Sequence, residues 1–410
     1  MAKLKQLNGT RAPKPALGRQ IRERLERELT AALKRRPSHE LELSGVLRAA
    51  LAHNARLRSS ARAALDVLSR RQSFDRPLYH AVLRSLTECS DGGCKDFVVE
   101  ALKHVHGAGY TAFGAAALCG GSPEVVTTLE RIAVAERAHL AFAAELALSY
   151  CGRLREGHLV HLAPMVKEVH RVAMCNELLP MFSRRAIVPS GCATALRVLR
   201  ASERHLGRWL MLGELEVRAG SDAVIDEARS RLASASASGR GSWQLILWSL
   251  ERARGAAIDV PRAPIDALTR LVERSDRESQ FVFRLARARV PACETALASL
   301  VSRPISTHAG AYAAMFLARD FARPACRDAL INAASSESPI SGLATAALFD
   351  AGVKDIALKR ATAMADSRSL RTAMWAACVR YADRNSQSGA ESTMAVDETR
   401  YRWIQCGWLE

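Results

Sequence analysis

Aromatic side chains are scarce in this chain: Phe, Trp and Tyr together occupy 22 of 410 positions. That scarcity argues against an aromatic-rich sheet, and no credible run of strands can be traced. Long apolar runs are missing as well. The greasiest stretch, Leu140 to Tyr150, is interrupted by Glu145, so no segment approaches the roughly 18 apolar residues of a membrane helix. The first twenty residues carry Lys3, Lys5, Arg11, Lys14 and Arg19 without the apolar core of a secretory signal. Catalytic and phosphate-binding fingerprints are absent too: there is no G-x-S-x-G elbow, no G-x-x-x-x-G-K-[ST] loop and no G-x-G-x-x-G after a strand. Lysine is rare, 9 residues against 50 arginines.

Alanine is abundant, at 72 positions, which points to a helical interior of small side chains. Hydrophobic residues at 49% and charged residues at 25% give the balance of a folded chain and exclude global disorder. At 410 residues the chain is several domains or one array built by repetition. Internal similarity favours the array. Pro291-Ala292-Cys293-Glu294-Thr295-Ala296-Leu297 matches Pro324-Ala325-Cys326-Arg327-Asp328-Ala329-Leu330 at five of seven positions. At the same offset of 33, Ala311, Ala313, Ala314, Phe316 and Ala318 fall on Ala344, Ala346, Ala347, Phe349 and Ala351. A weaker third copy places Ala376 and Ala377 thirty residues after Ala346 and Ala347.

Each unit reads as two antiparallel helices. Pro291 or Pro324 sits in a first turn, and Ala296, Leu297 and Leu300 form an apolar stripe. One such unit cannot bury its own stripe and has to stack on its neighbours. Upstream, Ser122-Pro123-Glu124 opens a helix whose apolar side is expected from Val125, Leu129, Ile132 and Val134, and the helix Leu140 to Tyr150 is expected to end at Gly152.

Ser122 to Val134, Pro291 to Ala318 and Pro324 to Ala351, with the rhythm of residues 40 to 383, resemble HEAT-like repeats, in particular the alanine-rich kind first described in phycobilisome lyases. The resemblance implies an all-α α-solenoid, a right-handed superhelix of about ten to twelve stacked antiparallel helix pairs. It is uninformative about function, since such solenoids serve scaffolds, lyases, nucleic-acid binders and regulators.

The expected organisation is a flexible basic tail (1–16), an N-terminal solenoid half (17–231), a Ser/Ala/Gly loop or hinge (232–242), a C-terminal half (243–383), a polar linker (384–397) and an aromatic ending (398–410). In that ending Tyr401, Trp403 and Trp408 would cap the last repeat or dock into a partner.

Net charge is +17, and residues 1–76 hold 18 basic against 7 acidic side chains, so the surplus is concentrated at the N-terminal end. The helix Gly18 to Arg36 buries Ile21, Leu25, Leu29 and Leu33 and displays Arg19, Arg22, Lys34, Arg35 and Arg36. The helix near 57 to 70 buries Leu57, Ala61, Ala64, Leu65 and Leu68 and leaves Arg58 and Arg62 on another face. These side chains, with Arg284 and Arg287 beside Phe281 and Phe283, are the candidate partner-binding residues. Guanidinium strips suit an acidic protein surface or a phosphate backbone.

No metal or cofactor is expected. Cys89, Cys94, His104 and His106 have the wrong spacing for a zinc finger, and His158 with His161 leaves coordination incomplete even with Glu156 or Glu168. The scattered cysteines, among them Cys119, Cys151, Cys175, Cys192, Cys293, Cys326 and Cys378, read as small core residues in a reducing cytoplasm. HEAT-like alkylpurine DNA glycosylases use tryptophans and an acidic residue, types that Trp209, Glu214, Trp243 and Trp248 supply, but no motif of that family is reproduced and no catalytic residue carries over. The expectation is a non-catalytic protein-binding scaffold, with nucleic-acid binding and a solenoid enzyme or lyase subunit as alternatives.

Overall fold

The computed structural model describes residues 17–34, 55–88, 92–182, 188–255, 293–302, 324–337 and 340–365, with single positions at 310, 313, 314, 317 and between 367 and 383. Among these residues the chain is helical throughout, with 84% in helix and no strand.

Helix α1 (Leu17–Lys34) lays Leu25, Leu29 and Ala32 onto α2 (Ala55–Arg70), where Leu57, Ala61, Ala64, Leu65 and Leu68 are buried as the apolar spacing requires. Arg71 and Arg76, just past α2, donate to the carbonyls of Leu33 and Ala32 at 3.0 Å each. They satisfy carbonyl oxygens that the last turn of α1 leaves open.

Next come α3 (Pro77–Glu88), α4 (Lys95–Lys103), α5 (Val105–Cys119), α6 (Pro123–Ala135) and α7 (Ala138–Tyr150). Each helix packs on its successor or on the helix two further along: α2, α4 and α6 form one row, and α3, α5 and α7 the other. The Ser122 hydroxyl caps α6 by accepting the Val125 N–H at 3.4 Å, with Pro123 in the first turn. Val125, Leu129 and Ile132 are buried, but Val134 is 77% exposed. Five residues beyond Leu129, it points away from the apolar stripe rather than joining it. Past α7, Arg153 N–H donates to Leu148 O at 2.9 Å and Gly152 N–H to Ser149 O at 3.2 Å, closing the helix at Gly152.

Beyond Gly152 come two short helices, α8 (Glu156–Leu162) and α9 (Glu168–Ala173). The second runs through a π-helical turn, Met174–Leu178, into α10 (Leu179–Phe182), which packs against α5. Helices α11 (Ala193–Ala201), α12 (Leu206–Arg218), α13 (Ala223–Ser234) and α14 (Ala237–Ala253) follow, α12 resting on both α11 and α14. Residues 232–242, expected as a loop, are therefore helical except at 235–236. The alanines and Trp243 to Leu250 support helix on both sides of that short break.

In the C-terminal part α15 (Cys293–Ser302) packs on α16 (Pro324–Ser335), and α17 (Ser341–Asp350) on α16 and α18 (Lys354–Met364). The repeat is visible in burial: Ala296 and Ala329, Leu297 and Leu330, Ala313 and Ala346, Ala314 and Ala347 are all interior. Arg24 on α1 donates to the Ser367 carbonyl at 3.1 Å, joining positions 343 residues apart. The tail 1–16, residues 263–274, the linker 384–397 and the ending 398–410 lie outside the described residues.

Candidate functional site

Charge enters the interior where α11, α12, α13 and α14 meet. Arg200 stands on the buried stripe of α11, four residues after Leu196, and is 1% exposed. Its Nε donates to Glu216 on α12 at 2.9 Å, and its Nη1 reaches Glu227 on α13. Glu216 is wholly buried and also accepts from Arg197 Nε at 3.1 Å and the Ser221 hydroxyl at 3.2 Å. Glu227 accepts in turn from Arg231 Nε at 2.9 Å. The outcome is an alternating ladder, Arg197, Glu216, Arg200, Glu227, Arg231, that ties three helices together. Burial pushes the Glu227 carboxyl up, but the bonds from Arg200 and Arg231 outweigh it and hold it below its ordinary value.

Two tryptophans flank the ladder. Trp209 on α12 and Trp243 on α14 meet edge to face, ring centroids 5.2 Å apart at 86°. The Arg200 guanidinium lies 4.6 Å from the Trp209 ring, and that of Arg231 lies 5.6 Å from Trp209 and 5.1 Å from Trp243. Beside them opens a cleft of about 500 Å³, lined by Glu203, Arg204, Leu206, Trp209, Arg231 and Trp243 among others. Glu203 accepts two bonds from Arg208 at 2.9 Å and one from the His205 N–H at 2.7 Å. Burial raises its pKa, and these donors together more than reverse that rise.

A further interior carboxylate is Glu145 on α7. His158 Nδ1 lies 2.6 Å from its Oε1, and Arg155 Nε donates to Oε2 at 3.2 Å. His158 thus serves Glu145, while His161, three residues on, is exposed. Glu156 meets the Thr194 hydroxyl at 3.5 Å instead. In the cysteine-histidine segment, Cys94 is buried, His104 stacks on Phe74 at 4.3 Å and meets Glu100 at 3.2 Å, and His106 lies 3.6 Å from Glu136. Among the described residues no three His, Cys, Asp or Glu side chains are grouped to hold a metal. Burial pushes the Cys175 thiol up to about 12 and that of Cys192 to about 11, so both are unreactive near neutral pH.

Of the basic residues singled out from the sequence, Lys34 is exposed at the last position of α1 and Arg58 and Arg62 are half-buried on α2. The Arg62 guanidinium lies over Gly93, where a Cβ would sit 2.8 Å from Nη1. Arg35, Arg36, Arg284, Arg287, Tyr401, Trp403 and Trp408 fall outside the described residues, as do the side chains of Arg19 and Arg22. Trp209 and Trp243 come together, whereas Trp248 is buried in the core. The ladder residues Arg197, Arg200, Glu216, Glu227 and Arg231 escaped the sequence reading. Their signal was a charge standing at a core position of an apolar stripe, as with Arg200 after Leu196 and Glu216 after Leu212.

No helix of the described residues is long and apolar enough to cross a membrane. Compared with known proteins, the chain matches no family model, no curated relative and no solved structure.

Proposed function

We propose that the chain is a non-catalytic scaffold, a HEAT-like solenoid whose basic side chains hold a protein partner with an acidic surface. The observation that carries the reading is the packing of helices on the next or the next-but-one helix of the chain, which supports a stack built by repetition. Interior carboxylates support it from another side: Glu145, Glu203 and Glu216 are all taken up by arginines of adjacent segments, so their charge serves cohesion. Affinity capture from a nuclease-treated native lysate, followed by mixing of the purified pair, tests the proposal. A stoichiometric complex with an acidic protein that weakens with salt is the expected result. Recovery of nucleic acid alone, with tight non-specific duplex binding at low salt, would overturn it in favour of the phosphate-binding alternative.

A further inference from the structure

We propose that the cleft beside Trp209 and Trp243 is a binding site for a small aromatic anion, a flat ring bearing a carboxylate or phosphate group. This goes beyond the scaffold reading and does not depend on it.

The first argument is charge. Arg204 and Arg231 face the cleft against one carboxylate, Glu203, which is already committed to Arg208. Arg231 shares its own carboxylate, Glu227, with Arg200. Arg204 is exposed and makes no hydrogen bond or ion pair among the described residues. A guanidinium in that position is a forked donor suited to a carboxylate or phosphate, and the cationic surplus disfavours a metal ion or an ammonium ligand.

The second argument is an unmet donor. Trp209 is 1% exposed and its indole N–H has no acceptor among the described residues. The side chains over its ring are Arg200 and Arg231, which can only donate. A buried N–H without an acceptor is unfavourable, and the groups around it cannot relieve it. The Trp209 N–H is closed to solvent, so an anion in the cleft would meet the guanidinium groups of Arg204 and Arg231, which offer it donors.

The third argument is shape. Trp243 is half-buried and shows part of its ring, which a second flat ring can cover in an offset stack. The volume of about 500 Å³ suits a small molecule. The salt-bridge ladder below fixes Trp209 and Arg231 before any ligand arrives, so little ordering remains to oppose binding.

The test is a calorimetric titration of the full chain with benzoate, phenyl phosphate, inorganic phosphate and benzyl alcohol, each up to about 10 mM. The expected result is one site for benzoate or phenyl phosphate, with the tighter of the two identifying the anion. Inorganic phosphate and benzyl alcohol, which lack the ring or the charge, bind at least about tenfold more weakly. Arg204→Ala is expected to lower affinity about tenfold or more with the melting temperature unchanged, because Arg204 holds nothing else in place. Trp243→Phe is expected to weaken binding less and to remove part of the fluorescence change on titration. Absence of binding by either aromatic anion, equal binding of either control, or wild-type affinity in Arg204→Ala would each overturn the proposal.

Discussion

At the residue scale, burial decides which charges matter. Glu216 and Arg200 are interior and Glu216 has two arginine partners, so Glu216→Ala leaves Arg197 only its bond to the Ser221 hydroxyl and removes one of the two carboxylates serving the buried Arg200. The expected loss is about 3 kcal/mol in urea unfolding, because a buried cation left underpaired loses hydration without compensation. Asp66 and Arg70 form a pair of similar length on α2, but with 46% and 77% of their side chains exposed. Asp66→Ala is expected to change stability by less than about 1 kcal/mol. Equal effects of the two substitutions would refute the assignment. Histidine adds a pH dependence. His139 stacks on His170 at 3.6 Å, and its pKa is lowered first by burial, then by His170, Arg137 and His106, with Glu136 opposing. The unfolded chain therefore takes up this proton before the folded one does. Stability present above pH 6.5, the ordinary value, is expected to fall as pH drops toward the folded-state value. Urea midpoints at pH 7.5 and 5, with His139→Gln showing the smaller drop, check the sign.

At the scale of elements, the ends of helices were more legible than their interruptions. Ser122 and Pro123 mark the start of α6 by chemistry confined to a few residues, and Leu140 to Tyr150 with Gly152 marks α7 just as locally. The π turn at Met174–Leu178 carries no such mark, since its extra residue is accommodated through packing against α5. The facing irregularity is Gly109, with φ +57° and ψ −155° inside α5, where a Cβ would sit 3.3 Å from Glu177 Oε2 of the π turn and 3.7 Å from His80 Cε1. That backbone region is open essentially to glycine alone, so Gly109→Ala is expected to cost about 1–3 kcal/mol. Gly157 in α8 has ordinary backbone angles and open space around it, and Gly157→Ala is expected to gain about 0.4–1 kcal/mol by restricting the unfolded chain. Opposite shifts in the urea midpoint are the signature. The cleft itself was the least legible feature. Trp209 and Trp243 were noticed as residue types, but their 5.2 Å contact arises only from the seating of α12 on α14.

At the scale of the whole molecule, the hydrogen bond from Arg24 to Ser367 bears on how the two ends of the described helices are related. Repeats read from the sequence suggest an arch whose first and last helices are far apart, because each unit is defined only relative to its neighbour. Small rotations between successive units add up along the chain, and their total cannot be read from any one repeat. A straight stack of ten helix pairs at about 10 Å spacing would separate its ends by about 90 Å, while the Arg24 contact requires them to meet. Arg27 on α1 and Ser369 near the contact are both exposed and can carry spin labels without disturbing the core. The labels should use unnatural amino acids, since the ten native cysteines would otherwise compete. Pulsed dipolar spectroscopy is expected to give one narrow distance below about 30 Å, far short of the separation in a straight stack. Arg24→Ala is expected to broaden that distribution while leaving helix content unchanged, because one hydrogen bond to a charged donor contributes about 1.5–3 kcal/mol, enough to bias a contact between distant ends but not to hold either end folded. A broad distribution centred well beyond 50 Å in the unaltered chain would rule out the closed arrangement and leave the open arch that the repeats alone suggest.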